Sequence, residues 1–159
     1  MDAREKLEER VREYGISLLK RQDLPVKIFR EKLLKKILGD AARKGGALSS
    51  EASAAAEAAV EKVTASFLRL GYLDDGAYAE AFIRAHGYGA KKLAWALRQK
   101  GIDPELWTDK IAENKDRELA EIKRLAAKQQ GKDRQKVIAS LARRGFSLED
   151  ILKALSDDE

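Results

Sequence analysis

The chain has 159 residues, enough for one ordinary domain or a few small modules. Charged residues make up 37% of it and aromatic residues 6%, which argues for small helical modules with thin cores and wide solvated faces rather than one large core. Cysteine is absent, so disulfides and thiolate metal sites are excluded, and a formal net charge of +5 suits an acidic protein or nucleic acid without choosing between them.

Alanine, leucine, lysine, glutamate and arginine dominate, only two prolines occur, and almost no strand is expected. No apolar run approaches the roughly 20 residues that a membrane span needs. The stretch Met1–Arg12 is charged with mixed sign, unlike a signal peptide, so a soluble cytoplasmic protein is expected.

The first predicted helix runs from about Ala3 to Gln22. Leu7, Val11, Tyr14 and Leu18 form its stripe, and Gly15 is a point where it loosens or breaks. Leu24-Pro25 marks a boundary. The second helix is expected from Pro25 to about Leu38, presenting Ile28, Phe29, Leu33 and Ile37. Gly45-Gly46 reads as a turn. Ser49 or Ser50 then caps a third helix that begins in the alanine-rich stretch Ala52–Ala59, for which a flexible linker is the competing reading. Its stripe is Ala56, Val60, Val63, Phe67 and Leu70.

Asp74 or Asp75 caps the next helix, which carries Tyr78, Ala79, Phe82 and Ile83. A glycine break at Gly87 and Gly89 leads into a helix with Leu93 and Leu97 that stops at Lys100-Gly101. Asp103 caps a helix from Pro104 to about Asn114, with Leu106, Trp107 and Ile111 inward. A helix from Arg117 to Gln130 carries Leu119, Ile122, Leu125 and Ala126. After the turn Gly131-Lys132, Asp133 caps a helix with Val137, Ile138 and Leu141, ending at Arg144-Gly145. Ser147 and Asp150 form a loose capping box for the last helix, whose inner face is Leu148, Ile151, Leu152 and Leu155. The tail Asp157-Asp158-Glu159 reads as a frayed acidic end.

Self-similarity is the strongest signal. At a shift of 44 residues, Gly101 falls on Gly145, Lys92 on Lys136, Leu93 on Val137, Leu97 on Leu141 and Lys100 on Arg144. Ile102 falls on Phe146, Trp107 on Ile151 and Ile111 on Leu155. A looser shift of 64 places Leu97 on Leu33, Leu93 on Phe29 and Lys100 on Lys36, but Gly101 on Ile37, so the glycine stop is missing there. The expected fold is all-α: tandem three-helix repeats over 1–73, 74–115 and 116–159, about nine helices in an elongated, curved array, with the first repeat divergent.

Leu70-Gly71-Tyr72-Leu73-Asp74-Asp75 with Tyr78-Ala79 and Phe82-Ile83-Arg84, then Lys92-Leu93, Leu97 and Lys100-Gly101-Ile102, form one motif set. Leu141-Ala142-Arg143-Arg144-Gly145-Phe146-Ser147 with Ile151 and Leu155 forms another. Together they resemble the RecX family of recombination regulators, and the resemblance spans nearly the whole chain. It implies a non-enzymatic protein of tandem three-helix repeats. It implies binding to the RecA recombinase and its filament on single-stranded DNA, limiting filament growth and suppressing ATP hydrolysis, strand exchange and coprotease activity. A monomer without cofactor is expected, with weak direct contact to DNA left open, and a direct DNA-binding helical module is the alternative reading.

The basic residue before each helix stop recurs as Lys36, Lys100 and Arg144, and Lys92, Lys136, Arg98 and Arg143 widen that set. Such a ladder can face an acidic groove or phosphates; equally, each cation can simply favour its own helix C-terminus, by about 0.3–1 kcal/mol. Trp95 lies about 200° around its helix from both Leu93 and Leu97, and either packs between repeats or stands exposed as a binding anchor. Trp107 reads as core, and Tyr72 as packing at the start of the second repeat. The Asp74-Asp75 pair reads as capping rather than a metal or acid–base site. His86, the only histidine, reads as a surface residue at a helix end. With no cysteine and one histidine, Ser/His and Cys/His nucleophile pairs are nearly excluded. Gly87-Tyr88-Gly89-Ala90-Lys91-Lys92 lacks Walker spacing and a preceding strand, and is discounted as a phosphate loop. No catalytic or metal site is expected.

Overall fold

The structure, a computed structural model, describes residues 1–45 and 48–156. Gly46 of the expected turn and the acidic tail lie outside the described residues. Among the described residues the chain is all-helical: α1 (Ala3–Arg21), α2 (Val26–Gly45), α3 (Ser50–Arg69), α4 (Asp75–Ala85), α5 (Ala90–Gln99), a 3-10 turn (Pro104–Leu106), α6 (Thr108–Glu113), α7 (Lys115–Ala127), α8 (Arg134–Arg143) and α9 (Leu148–Ser156). The chain divides into two compact units, Met1–Tyr78 and Ala79–Glu159.

The first unit is built on α1, α2 and α3. Val11, Leu18, Leu24, Phe29, Leu33, Ile37, Val60, Val63, Phe67 and Leu73 are buried together. Each such large apolar side chain contributes roughly 1.5–3 kcal/mol on burial. Gly15 neither loosens nor breaks α1. It is buried inside a continuous helix, and a Cβ there would meet Phe29 Cζ and Phe67 Cε2 at 3.0 Å. Gly15 therefore makes room for the two rings, whose centroids are 5.5 Å apart. The helical cost of a mid-helix glycine, about 1 kcal/mol, is offset by that packing.

Helix α2 extends seven residues past the expected end at Leu38, to Gly45. Ile37 is buried mid-helix, which explains why no glycine stop stands there. The Ala/Ser stretch is helical, and Ser49 Oγ accepts the Ala52 N–H at 3.0 Å. Leu70 does not join the α3 stripe; it is exposed beyond the helix end. The Asp74-Asp75 pair does two jobs. Asp74 Oδ1 accepts the Ala77 N–H at 3.0 Å at the start of α4. Asp75 Oδ1 accepts the Val26 N–H at 2.9 Å and so caps α2, where Pro25 leaves no local cap. Tyr72 packs on the first unit, edge-on to Phe67 at 5.4 Å, and is 58% exposed, rather than starting the second repeat.

In the second unit the 44-residue shift maps α5 onto α8 residue for residue. Gly101 and Gly145 both have positive φ, +74° and +93°, as a left-handed helix stop requires. After α5 the Ile102 N–H returns to Leu97 O and the Gly101 N–H to Arg98 O, and Ile102 is buried. Gly71 ends α3 in the same way, at φ +79°. Ile122, Leu125, Val137, Leu141, Phe146, Ile151 and Ala154 form the core of α7–α9. Some inner-face expectations fail. The expected helix from Pro104 is split into a 3-10 turn and α6, which leaves Leu106 exposed, while Trp107 is buried and its Nε1 donates to Ile102 O at 3.1 Å. On α9, Leu148 and Leu152 are exposed, and Ala154 takes the buried place beside Ile151.

Candidate partner-binding surface

Charge is sorted by helix. Helix α5 carries Lys91, Lys92 and Arg98 and no acidic residue, and α8 carries Arg134, Lys136 and Arg143 and none. Helix α2, second in its own three-helix set, carries seven cations against Glu31 and Asp40. The third helices are different: α6 sets Lys110 against Asp109 and Glu113, and α9 sets Lys153 against Glu149 and Asp150. In each set the second helix thus carries the largest excess of positive charge.

Backbone packing joins the two acid-free helices. The Gly89 N–H, at the start of α5, donates to Arg144 O, at the end of α8, at 2.9 Å. A Cβ on Gly89 would fall on the Gly145 carbonyl and the Phe146 amide, and one on Gly145 would fall on Lys92. Both glycines are thus required by close approach, and Lys92 and Arg144 become neighbours. Gly89 offers α5 no side-chain cap. Glu118 of α7 supplies one, its Oε1 accepting the Ala90 N–H at 3.2 Å. Burial holds the Glu118 carboxyl above its ordinary range, against the lowering effect of that hydrogen bond.

The predicted contact residues fall into distinct settings. In the first unit Lys36 is exposed, paired with Asp40 at 3.2 Å and 5.8 Å from the Tyr14 ring. Lys36 first, then Arg43, holds the Asp40 carboxyl below its usual range, so this cation is already engaged. In the second unit Lys92 Nζ lies 4.0 Å from the Tyr88 ring centre and Lys100 Nζ 5.5 Å from that of Phe82. Arg98 is exposed, with its guanidinium 5.2 Å from the Trp107 ring centre. Trp95 is 62% exposed, so it does not pack between repeats. Lys132, Lys136 and Arg143 line a groove of about 630 Å³ at α8, together with Asp133, Ala139 and Ser140. Arg144 is exposed beside the α5 start. The structure thus brings Lys136 and Arg143 to one groove and Lys92 beside the Arg144–Gly145 end of α8, with Trp95 and Arg98 exposed on α5.

Sequence reasoning missed two features. Glu118 is a cap reaching 28 positions along the chain, and no local pattern announces such a partner. His86 is more than a surface residue: it stacks on Tyr88 at 4.9 Å and 12° and meets Phe82 at 4.2 Å. The i, i+4 spacing of Phe82 and His86 was the available signal. Among the described residues no group of three or more metal-ligating side chains occurs, and no helix is long and apolar enough to cross a membrane.

Comparison with known proteins places these features in a family. Residues 74–110 match the model of the RecX second three-helix domain, and residues 117–155 match that of the third. The regulatory protein RecX of a Thermus thermophilus strain is 34% identical over 144 residues, covering 89% of this chain and 87% of that protein. The regulatory protein RecX of Neisseria meningitidis serogroup A is 33% identical over 109 residues, 64% of this chain and 71% of its own. The crystal structure of RecX from Lactobacillus salivarius superposes with a TM-score of 0.69 at 19% identity, covering 96% of both chains. A second crystal structure, of regulatory protein RecX, gives 0.68 at 21% identity, covering 99% of this chain and 74% of that one.

Proposed function

This chain belongs to the RecX family of regulatory proteins, and we propose that it acts by binding the RecA recombinase and its filament on single-stranded DNA. On this reading it limits filament growth and lowers ATP hydrolysis, strand exchange and coprotease activity without catalysing a reaction itself. It works as a monomer in the cytoplasm. The observation that carries the reading is the pair of acid-free helices α5 and α8, joined end to end at Gly89 and Arg144. Cations on helices that carry no acidic residue of their own favour an acidic surface and speed encounter with it. Lys92, Lys136, Arg143 and Arg144 form the centre of the surface, and Trp95, Arg98 and Lys100 extend it along α5; Lys36, in the first unit, is a separate candidate contact.

The competing reading is a helix-turn-helix module that inserts its third helix into duplex DNA. The acidic balance of α6 and α9 opposes it, because Asp109, Glu113, Glu149 and Asp150 would face phosphates. Titration into a RecA ATPase assay on single-stranded DNA tests the proposal. Hydrolysis falls with the native chain and recovers with Lys136→Glu/Arg143→Glu, whose thermal unfolding matches the native chain. Undiminished hydrolysis at saturating native protein removes the reading.

A further inference from the structure

Trp95, at the edge of the proposed recombinase surface, is an aromatic ring left uncovered among cations. It stands 62% exposed near the middle of an acid-free helix. The fold does not need a large ring there, since the equivalent position on α8 is Ala139. Lys91 lies four positions before it and Arg98 three after it, so both cations share its face, one on each side along the helix. Both are exposed, and the Trp107 ring steadies the Arg98 guanidinium from beneath. Ala94 and Ala96 are too small to cover the indole. Trp95 lines neither the α8 groove nor any other recess described above.

We propose that this face of α5 binds single-stranded nucleic acid, with Trp95 as a stacking platform for one base and Lys91 and Arg98 as contacts for the phosphates on either side. Three properties of the face match that ligand. An exposed indole offers a flat π surface, which every base can use. Cations placed fore and aft of the ring match the alternation of base and phosphate along a strand. The end-to-end join to α8 sets Arg144 beside the first turn of α5, which carries Lys92, so cations continue past Lys91. An acidic protein would satisfy the cations but leaves the ring without a role unless it also brings an apolar pocket.

The test uses the full chain and a thymidine oligonucleotide, with no recombinase present, so it succeeds or fails independently of the function proposed above. Trp107 is 2% exposed and shielded, so stacking quenches the emission of Trp95. Quenching that saturates with oligonucleotide is expected. Trp95→Ala should lose it and weaken binding by about 5- to 150-fold, whereas Trp95→Phe keeps part of the affinity. Lys91→Ala/Arg98→Ala should lower the salt slope of log affinity by about 1.4. No binding at low salt overturns the proposal, as does affinity unchanged in Trp95→Ala. Weakened binding of Trp95→Ala to DNA-free recombinase, with unchanged oligonucleotide affinity, assigns the face to a protein partner and also overturns it.

Discussion

Replacing Gly89 with alanine isolates the packing that joins α5 to the end of α8. Gly89 has φ −70° and ψ 167°, extended backbone that alanine adopts without strain. On backbone grounds alone, Gly89→Ala should stabilise the protein by about 0.4–1 kcal/mol, by restricting the unfolded chain. The structure predicts the opposite sign. The new Cβ falls on backbone atoms of Gly145 and Phe146, which cannot swing aside as a flexible side chain would. Overpacking of this kind costs about 1–3 kcal/mol. Separating the chains also strains the Gly89–Arg144 hydrogen bond, worth about 0.5–1.5 kcal/mol. The net loss is about 1–4 kcal/mol, and each kcal/mol lowers the melting point of a 159-residue chain by about 2–4 °C. Gly39→Ala is the control: it lies in α2, where a Cβ meets nothing within 4 Å, and should stabilise by about 0.5–1 kcal/mol. Thermal unfolding followed by circular dichroism compares the two. If Gly89→Ala melts at or above the native temperature, the close approach of α5 to the α8 end is wrong.

Two further outcomes follow from the capping contacts. Asp75→Ala should cost about 0.5–2 kcal/mol in urea unfolding and loosen the start of α2, seen as faster amide exchange from Phe29 onward, although position 75 is 49 residues from Val26. Exchange changed only in α4 would show that the cap is merely local. Glu118 titrates with the other sign. Its folded pKa lies above the unfolded value, so the native state holds the extra proton between the two, and stability falls as pH rises through that window. Glu118→Gln keeps an acceptor for the Ala90 N–H, so its stability relative to the native chain should rise as pH climbs above the ordinary glutamate range. A difference that does not change with pH would remove burial as the cause.

The helices were legible because their boundaries are local. Asp103, Asp133 and Ser147 each accept the hydrogen bond that their positions foretold, from Glu105, Gln135 and Asp150. The repeat shift was legible because the glycine stop and the buried residue after it are set by backbone geometry within one turn. The length of α2 was not, since no apolar stripe continues past Leu38 and helix propensity alone carries it on to Gly45. Gly15 and Gly89 look like breaks in one dimension, and only the third shows the rings or backbone that press on them. The split at Trp107 and the exposure of Leu106, Leu148 and Leu152 show the limit of periodicity for short helices. A stripe says which residues share a side, while the neighbouring helices decide how much of it is covered. The cations of the candidate surface were visible by their recurrence. That α5 and α8 meet end to end, and that Trp95 stays uncovered, depended on contacts between segments more than 40 residues apart.

Lysine-directed crosslinking of this chain to the RecA filament on single-stranded DNA tests the central claim most directly, because each set of three helices carries lysines on its second and third members. Crosslinks concentrated at Lys91, Lys92, Lys132 and Lys136, with few at Lys110 and Lys153, are the predicted result. Crosslinks concentrated at Lys110 and Lys153 would place the third helices against the partner and contradict docking through α5 and α8.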